Sequence, residues 1–238
     1  MTGSPGSTAL DEHHPAVALA PTPPATGPSD ALELYADALE GDGTLVARDV
    51  RGRAQRLPVE RWLAPASEAD ERLLDRTEGP VLDVGCGPGR HVHALVRRGV
   101  LALGVDVSPS AVRIARARGA VAVEGSIFDR VPGAGLWRSA LVLDGNVGIG
   151  GHPAALLSRV GALLAPGGCA LVELGAPGGG LRTTRVRLER GTAVGGWFDW
   201  ATVAADAVDA PAHGAGFHVD DTWCDDGRWF ARLRDVRA

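Results

Sequence analysis

The sequence predicts an α/β fold: a doubly wound, mostly parallel sheet with helices on both faces and an antiparallel C-terminal hairpin. Three observations predict it. Short apolar runs alternate with segments of helical periodicity between about residues 80 and 175. The first run, Val81 to Val84, leads directly into glycines at 85, 87 and 89 and then into a helix near Arg90. Phe217 to Arg234 reads as two β segments around the turn Asp225–Asp226–Gly227.

With 238 residues the chain holds one sizeable α/β domain. Residues 1–28 are rich in Pro, Ala, Gly, Ser and Thr without periodicity, the composition of a disordered leader. His13 and His14 lie there without partners and read as solvated, so no metal site is expected. From residue 29 the pattern changes. Leu32, Tyr35 and Leu39 fall on one face at helical spacing, and Gly41–Asp42–Gly43 ends that helix. Thr44–Val50 and Arg53–Val59 flank Arg51–Gly52 as a small hairpin. Ser67 to Thr77 is a second helix, with Ser67 and Asp70 spaced as a capping box. Residues 29–79 thus form a cap or lid over the domain that begins at residue 80.

In the central run, Val92, Leu95 and Val96 mark the inner face of the helix after the glycines, and Gly99 ends it. Leu101 to Val107 is the second strand. Ser108 then caps a helix with Pro109 in its first position, and Ala111, Ile114 and Ala115 face inward. Ala120–Gly125 and Ser139–Gly145 are further strands. Leu156, Leu157, Val160, Leu163 and Leu164 form one helical stripe, and Pro166–Gly167–Gly168 turns into the strand Cys169–Leu174. Arg182–Arg190 and Ala193–Trp200 read as strands around Gly191, and Ala201–Ala210 reads as a helix.

Composition excludes several functions. The net charge of −5 leaves no bulk footprint for a nucleic-acid backbone. There is no lysine, so Schiff-base and lysine general-base chemistry are absent. Cys86, Cys169 and Cys224 are odd in number and far apart, which provides neither a disulfide framework nor a zinc pattern. A reducing cytoplasm suits them. No signal sequence and no run of roughly 20 apolar residues for a membrane span is present.

Glycines at alternate positions let the chain turn with positive φ and let a ligand approach the main chain at a helix N-terminus. A dinucleotide loop needs a third glycine where this chain has Arg90. The string Asp83–Val84–Gly85–Cys86–Gly87–Pro88–Gly89 instead resembles motif I of the class I S-adenosylmethionine-dependent methyltransferases. Asp106, at the end of the second strand, stands where an acid accepts hydrogen bonds from both ribose hydroxyls. Leu163 to Leu174 resembles the family's leucine-x-proline-glycine-glycine turn into the fifth strand.

The resemblance covers about residues 80–175. It implies a Rossmann-like seven-stranded sheet, S-adenosylmethionine as cofactor, and a methyltransferase domain over residues 80–238. The cofactor-binding residues it implies are Asp83, Gly85, Cys86, Gly87, Gly89, Asp106, Val107, Ser126, Ile127 and Asp144. Ser126 stands where the family often carries an acid for the adenine amino group, and Ile127 is placed to pack on the adenine. Asn146 and His152, in the loop Asp144–His152, are the candidate catalytic residues, with His152 alternatively capping the next helix beside Pro153. A sulfonium methyl group is already activated, so positioning alone lowers much of the barrier and no triad is required.

The expected activity is methyl transfer to a small-molecule acceptor, with no nucleic-acid or membrane partner. A nicotinamide-dependent oxidoreductase and a non-catalytic S-adenosylmethionine-binding protein are the alternatives.

Overall fold

The computed structural model describes residues 29–41 and 43–237, so the expected leader lies outside them. The chain begins with α1 (Ser29–Glu40), β1 (Leu45–Asp49), β2 (Ala54–Arg56), α2 (Val59–Leu63) and α3 (Glu68–Leu74). The expected capping box is present: Asp70 N–H donates to Ser67 Oγ and Ser67 N–H donates to the Asp70 carboxylate. The central run is β3 (Val81–Val84), α4 (Arg90–Arg97), β4 (Ala102–Asp106), α5 (Pro109–Ala117), β5 (Ala122–Glu124), β6 (Trp137–Val142), α6 (Pro153–Leu163) and β7 (Leu164–Leu174). The tail is β8 (Leu181–Arg190), β9 (Ala193–Val194), β10 (Phe198–Val203), α7 (Asp209–Gly214), β11 (Phe217–Asp225) and β12 (Arg228–Asp235).

Seven strands form one sheet in the order β11-β12-β7-β6-β3-β4-β5. The five from β7 to β5 are parallel, and the hairpin β11–β12 adds antiparallel to β7. β3 is buried along its whole length. Because strand side chains alternate, Leu82 and Val84 enter the core that Leu156, Leu157, Val160 and Leu163 of α6 share. Val81 enters the opposite core, with Val92 and Leu95 of α4 and Phe230 of β12. Asp83 has the parity of Val81 and therefore faces α4.

A second sheet, ordered β10-β8-β1-β2 with β9 paired to β8, forms the cap. Its register joins distant parts of the chain: Ala47 lies opposite Gln55 on one side and Leu188 on the other. The cap strands therefore come from both sides of residue 80, and residues 29–79 do not close a unit by themselves. Leu34, Ala38 and Leu39 of α1 are buried in one cluster with Leu45, Val59 and Ala111, whereas Leu32, which the spacing places on that face, is half-buried and borders the cavity between this cap and the main sheet.

Two readings of the tail are corrected. Ala201 to Val203 is strand, not the start of a helix: Ala201 and Val203 are buried, Thr202 is exposed, and all three pair with β8. Helix begins only at Asp209, after a short 3-10 turn at Ala205–Ala207. The expected strand Ala193–Trp200 is broken between β9 and β10 at Gly195–Gly196.

Gly104 is the point where β4 touches the glycine loop. A Cβ there would lie 2.5 Å from Cys86 Sγ and 2.7 Å from Cys86 Cβ. Gly104→Ala is expected to lower unfolding free energy by about 1–3 kcal/mol, the usual effect of overpacking. Urea denaturation checks this; an unchanged midpoint would mean that Cys86 does not press on this strand.

Candidate active site

The parallel strands end at one edge of the sheet, where the loops after β3, β4, β5 and β6 meet the cap. Between them lies a cavity of about 1580 Å3. Gly85, Cys86 and Gly87 line it from the loop after β3, Asp106 and Val107 from β4, Ser126 and Ile127 after β5, and Asp144 and Asn146 after β6. Thus nearly all the residues singled out from the sequence are brought to one wall.

The loop is shaped by its glycines. Gly85 and Gly87 have φ of +67° and +52°, values that side chains strain. A Cβ on Gly85 would lie 2.6 Å from Asn146 Nδ2, and one on Gly87 would lie 3.1 Å from the Tyr35 hydroxyl. Gly89 has another role. It precedes α4, and a Cβ there would meet Ala115 at 2.7 Å and Ala120 at 3.0 Å. It lets α4 approach α5 and does not border the cavity.

Asp106 ties the loop down. One carboxylate oxygen accepts from Gly87 N–H at 2.8 Å and the other from Ser108 N–H at 2.8 Å. Each oxygen keeps a lone pair, so the side chain can still accept hydroxyl groups from a ligand. Burial pushes its pKa up, against the two backbone donors. Ser126 Oγ accepts from Phe128 N–H at 3.1 Å, which shapes the turn that presents Ile127.

Besides Gly89, three expected site residues stand elsewhere or make other contacts. Asp83, on the α4 side of the sheet, does not border the cavity; its Oδ2 is buried without a hydrogen-bond partner among the described residues. His152 is exposed, and its Nδ1 accepts from Ala155 N–H at 3.2 Å. It caps α6 and does not border the cavity. Asn146 does border the cavity, but its Nδ2 donates to Val84 O at 2.8 Å and to Gly85 O at 2.9 Å. It fastens the loop.

Spacing in the sequence missed Tyr35 and a buried ion network. Tyr35 of α1 reaches over Gly87 and meets Trp62 edge-on, with ring centroids 5.9 Å apart. Burial and the nearby carboxylate of Asp106 push its phenol well above the ordinary range, so it stays protonated. Arg90, only 5% exposed, points back between Asp144 (Nη1 to Oδ2, 2.7 Å) and Asp70 (Nε to Oδ2, 3.3 Å). Arg228 of β12 bonds both Asp70 at 2.7 Å and Glu173 of β7 at 2.8 Å, and Arg61 of α2 meets Asp144 at 2.5 Å. The Asp144 carboxyl is held down at about 2: burial raises it, and Arg90 above all outweighs that.

His91 completes the network, with Nε2 3.4 Å from Asp70 Oδ1 and Nδ1 3.7 Å from Asp83 Oδ2. Burial and the Arg90 charge push its pKa down, Asp70 and Asp83 push it up, and the net direction is up. The imidazolium thus stabilises the fold fully below the ordinary histidine value of about 6.5, and that contribution is lost as pH rises through the folded-state value. Denaturation midpoints measured from about pH 6 to 9 should fall more steeply for the wild type than for His91→Gln. Parallel curves would show that His91 is neutral in the fold.

Residues 81–168 match the family model described as a methyltransferase domain. No curated protein matches the sequence. Among solved structures, the chain is similar to an S-adenosylmethionine-dependent methyltransferase from Bacteroides fragilis in complex with S-adenosylhomocysteine. That match has 23% identity and a TM-score of 0.71, covering 88% of this chain and 95% of that one. It is also similar to 1,6-didemethyltoxoflavin-N1-methyltransferase from Burkholderia thailandensis, at 20% identity and TM-score 0.54 over 74% and 79% of the two chains. A third is CalS10, an amino pentose methyltransferase from Micromonospora echinaspora, at 23% identity and TM-score 0.50 over 70% and 88%.

At these identities the structures show a shared fold, and the family model adds the methyltransferase domain to it. The cavity wall fits S-adenosylmethionine: Gly85, Cys86 and Gly87 border the cavity, and Asp106 retains lone pairs beside Val107 and Ile127. With its loop, its acid and its strand order in place, the chain carries a methyltransferase domain at residues 81–168 on a fold shared with S-adenosylmethionine-dependent methyltransferases.

Proposed function

We propose that the protein methylates a small-molecule acceptor bound between the glycine loop and the cap sheet. The observation that carries this reading is the two-sided cavity. One wall is the glycine loop with Asp106, Ser126 and Ile127, and the other is the cap face with Val186, Phe198 and Trp200. Two structural neighbours are named as methyltransferases of 1,6-didemethyltoxoflavin and of an amino pentose, and both acceptors are small molecules.

In this reading Asp106 accepts the ribose hydroxyls, Gly85, Cys86 and Gly87 give backbone contact, and Val107 and Ile127 flank the base. S-adenosylmethionine supplies a methyl group on a sulfonium, an electrophile that needs no further activation. The chain's task is then to align the acceptor and exclude water, which lowers the barrier by restricting motion. Among the described residues no histidine lines the cavity, and Tyr35 holds its proton. The reading therefore favours an acceptor that arrives as a nucleophile, such as an amine or an already ionised hydroxyl.

No helix among the described residues is long and apolar enough to cross a membrane. All three cysteines are free, which suits the reducing cytoplasm this reading assumes.

Asp106→Ala tests the cofactor assignment. Losing a charge-assisted acceptor should weaken S-adenosylhomocysteine binding by about 1.5–3 kcal/mol in calorimetry. The melting transition, recorded beside it, reports whether the variant is folded. Unchanged affinity in a folded variant would remove Asp106 from the cofactor site.

A further inference from the structure

The register of the cap sheet tells which side chains face the acceptor half of the cavity. Trp200 pairs with Thr184, Phe198 with Val186, and Thr202 with Arg182; on the other side of β8, Val186 pairs with Asp49 and Leu188 with Ala47. Paired residues share a face, and alternate residues along a strand keep to it. Arg182, Thr184, Val186 and Leu188 therefore lie on one surface with Phe198 and Trp200, and all six border the cavity. Val186, Leu188, Phe198 and Trp200 make an apolar platform, with Phe198 and Trp200 meeting edge-on at 6.1 Å between centroids.

One end of the platform is cationic. Val50 N–H donates to Arg185 O, which continues the β1–β8 ladder and sets Arg51 near the level of Thr184, one step from Arg182. Arg51 and Arg182 both border the cavity, and neither side chain has an ion pair or hydrogen bond with a described residue. The cavity's other arginines are engaged. Arg53 holds Asp49 at 2.6 Å, Arg56 pairs with Glu60, and Arg61 and Arg90 share Asp144. The carboxylate on the cap face is also satisfied, since Asp49 accepts from Arg51 N–H, Arg53 N–H and the Arg53 guanidinium. Asp199, opposite Arg185, also borders the cavity, but it lies on the opposite strand parity from Arg182, Thr184 and Trp200.

Two guanidinium groups without a partner among the described residues, bordering one cavity, repel each other and raise the local concentration of anions. We infer that the acceptor is an organic anion with a flat apolar body, the body on Phe198, Val186 and Trp200 and the anionic group between Arg51 and Arg182. This inference rests on the methyltransferase reading, because it takes the cap face as the acceptor side.

A matched pair of fluorescent probes tests it. 8-Anilinonaphthalene-1-sulfonate and N-phenyl-1-naphthylamine share their aromatic body and differ by the sulfonate. Each is titrated into full-length protein saturated with S-adenosylhomocysteine, for the wild type, Arg51→Ala/Arg182→Ala, and Arg130→Ala as an exposed arginine outside the cavity. The double variant should bind the sulfonate at least about tenfold more weakly, the loss expected of one charge-assisted hydrogen bond. It should bind the neutral probe and S-adenosylhomocysteine as the wild type does. Equal loss for both probes, no loss for either, the same loss in Arg130→Ala, or no sulfonate binding by the wild type would overturn the inference. Failure of the wild type to bind S-adenosylhomocysteine would instead overturn the methyltransferase reading itself.

Discussion

The buried guanidinium of Arg90 is the contact on which the rest of the structure depends. It begins the helix after the glycine loop and turns back to meet Asp144 from the loop after β6 and Asp70 from α3. Through Arg61, Arg228 and Glu173 the same network reaches the cap and the antiparallel edge of the sheet. Charges removed from water are stabilising only while each has its partner, and loss of one partner from a buried pair typically costs about 3–5 kcal/mol. The network thus ties three separate parts of the chain to the loop. It also accounts for the departure from a dinucleotide-binding loop: the position of the third glycine carries the residue that holds the site together.

Much of the fold was legible in the sequence because its signals are local. Ser67 and Asp70, Ser108 and Pro109, and the alternating apolar runs each specify a cap or a strand within a few residues. The cap sheet was not legible as a unit. Its hairpin near residue 50 and its strands beyond residue 180 were each visible, but their pairing spans more than half the chain, and no local pattern encodes it. Ala201–Val203 misled for a related reason. Alanine-rich segments favour helix by propensity, and here the ladder to β8 and the burial of alternate side chains override it.

The candidate site divides along the same line. Gly85, Gly87, Asp106, Val107, Ser126, Ile127, Asp144 and Asn146 border the cavity because strand ends in a parallel sheet converge at one edge. Asp83 and Gly89 belong to the same motif, yet strand parity turns Asp83 towards α4 and helix contact claims Gly89. His152 was ambiguous between capping and catalysis, and the cap is what the structure displays. Tyr35 was legible only as a helix-face residue. Its place over Gly87 depends on how α1 docks, which only the three-dimensional contacts disclose.

The central claim is that cap and glycine loop enclose one ligand site between them. Amide hydrogen exchange of the full-length protein, with and without saturating S-adenosylhomocysteine, tests it most directly. The account predicts slower exchange on ligand binding in the loop at residues 85–90, at 106–108 and 126–128, and also in α1 and α2 of the cap, with β11 unaffected. Slowing confined to the loops, with α1 and α2 exchanging as in the free protein, would contradict it.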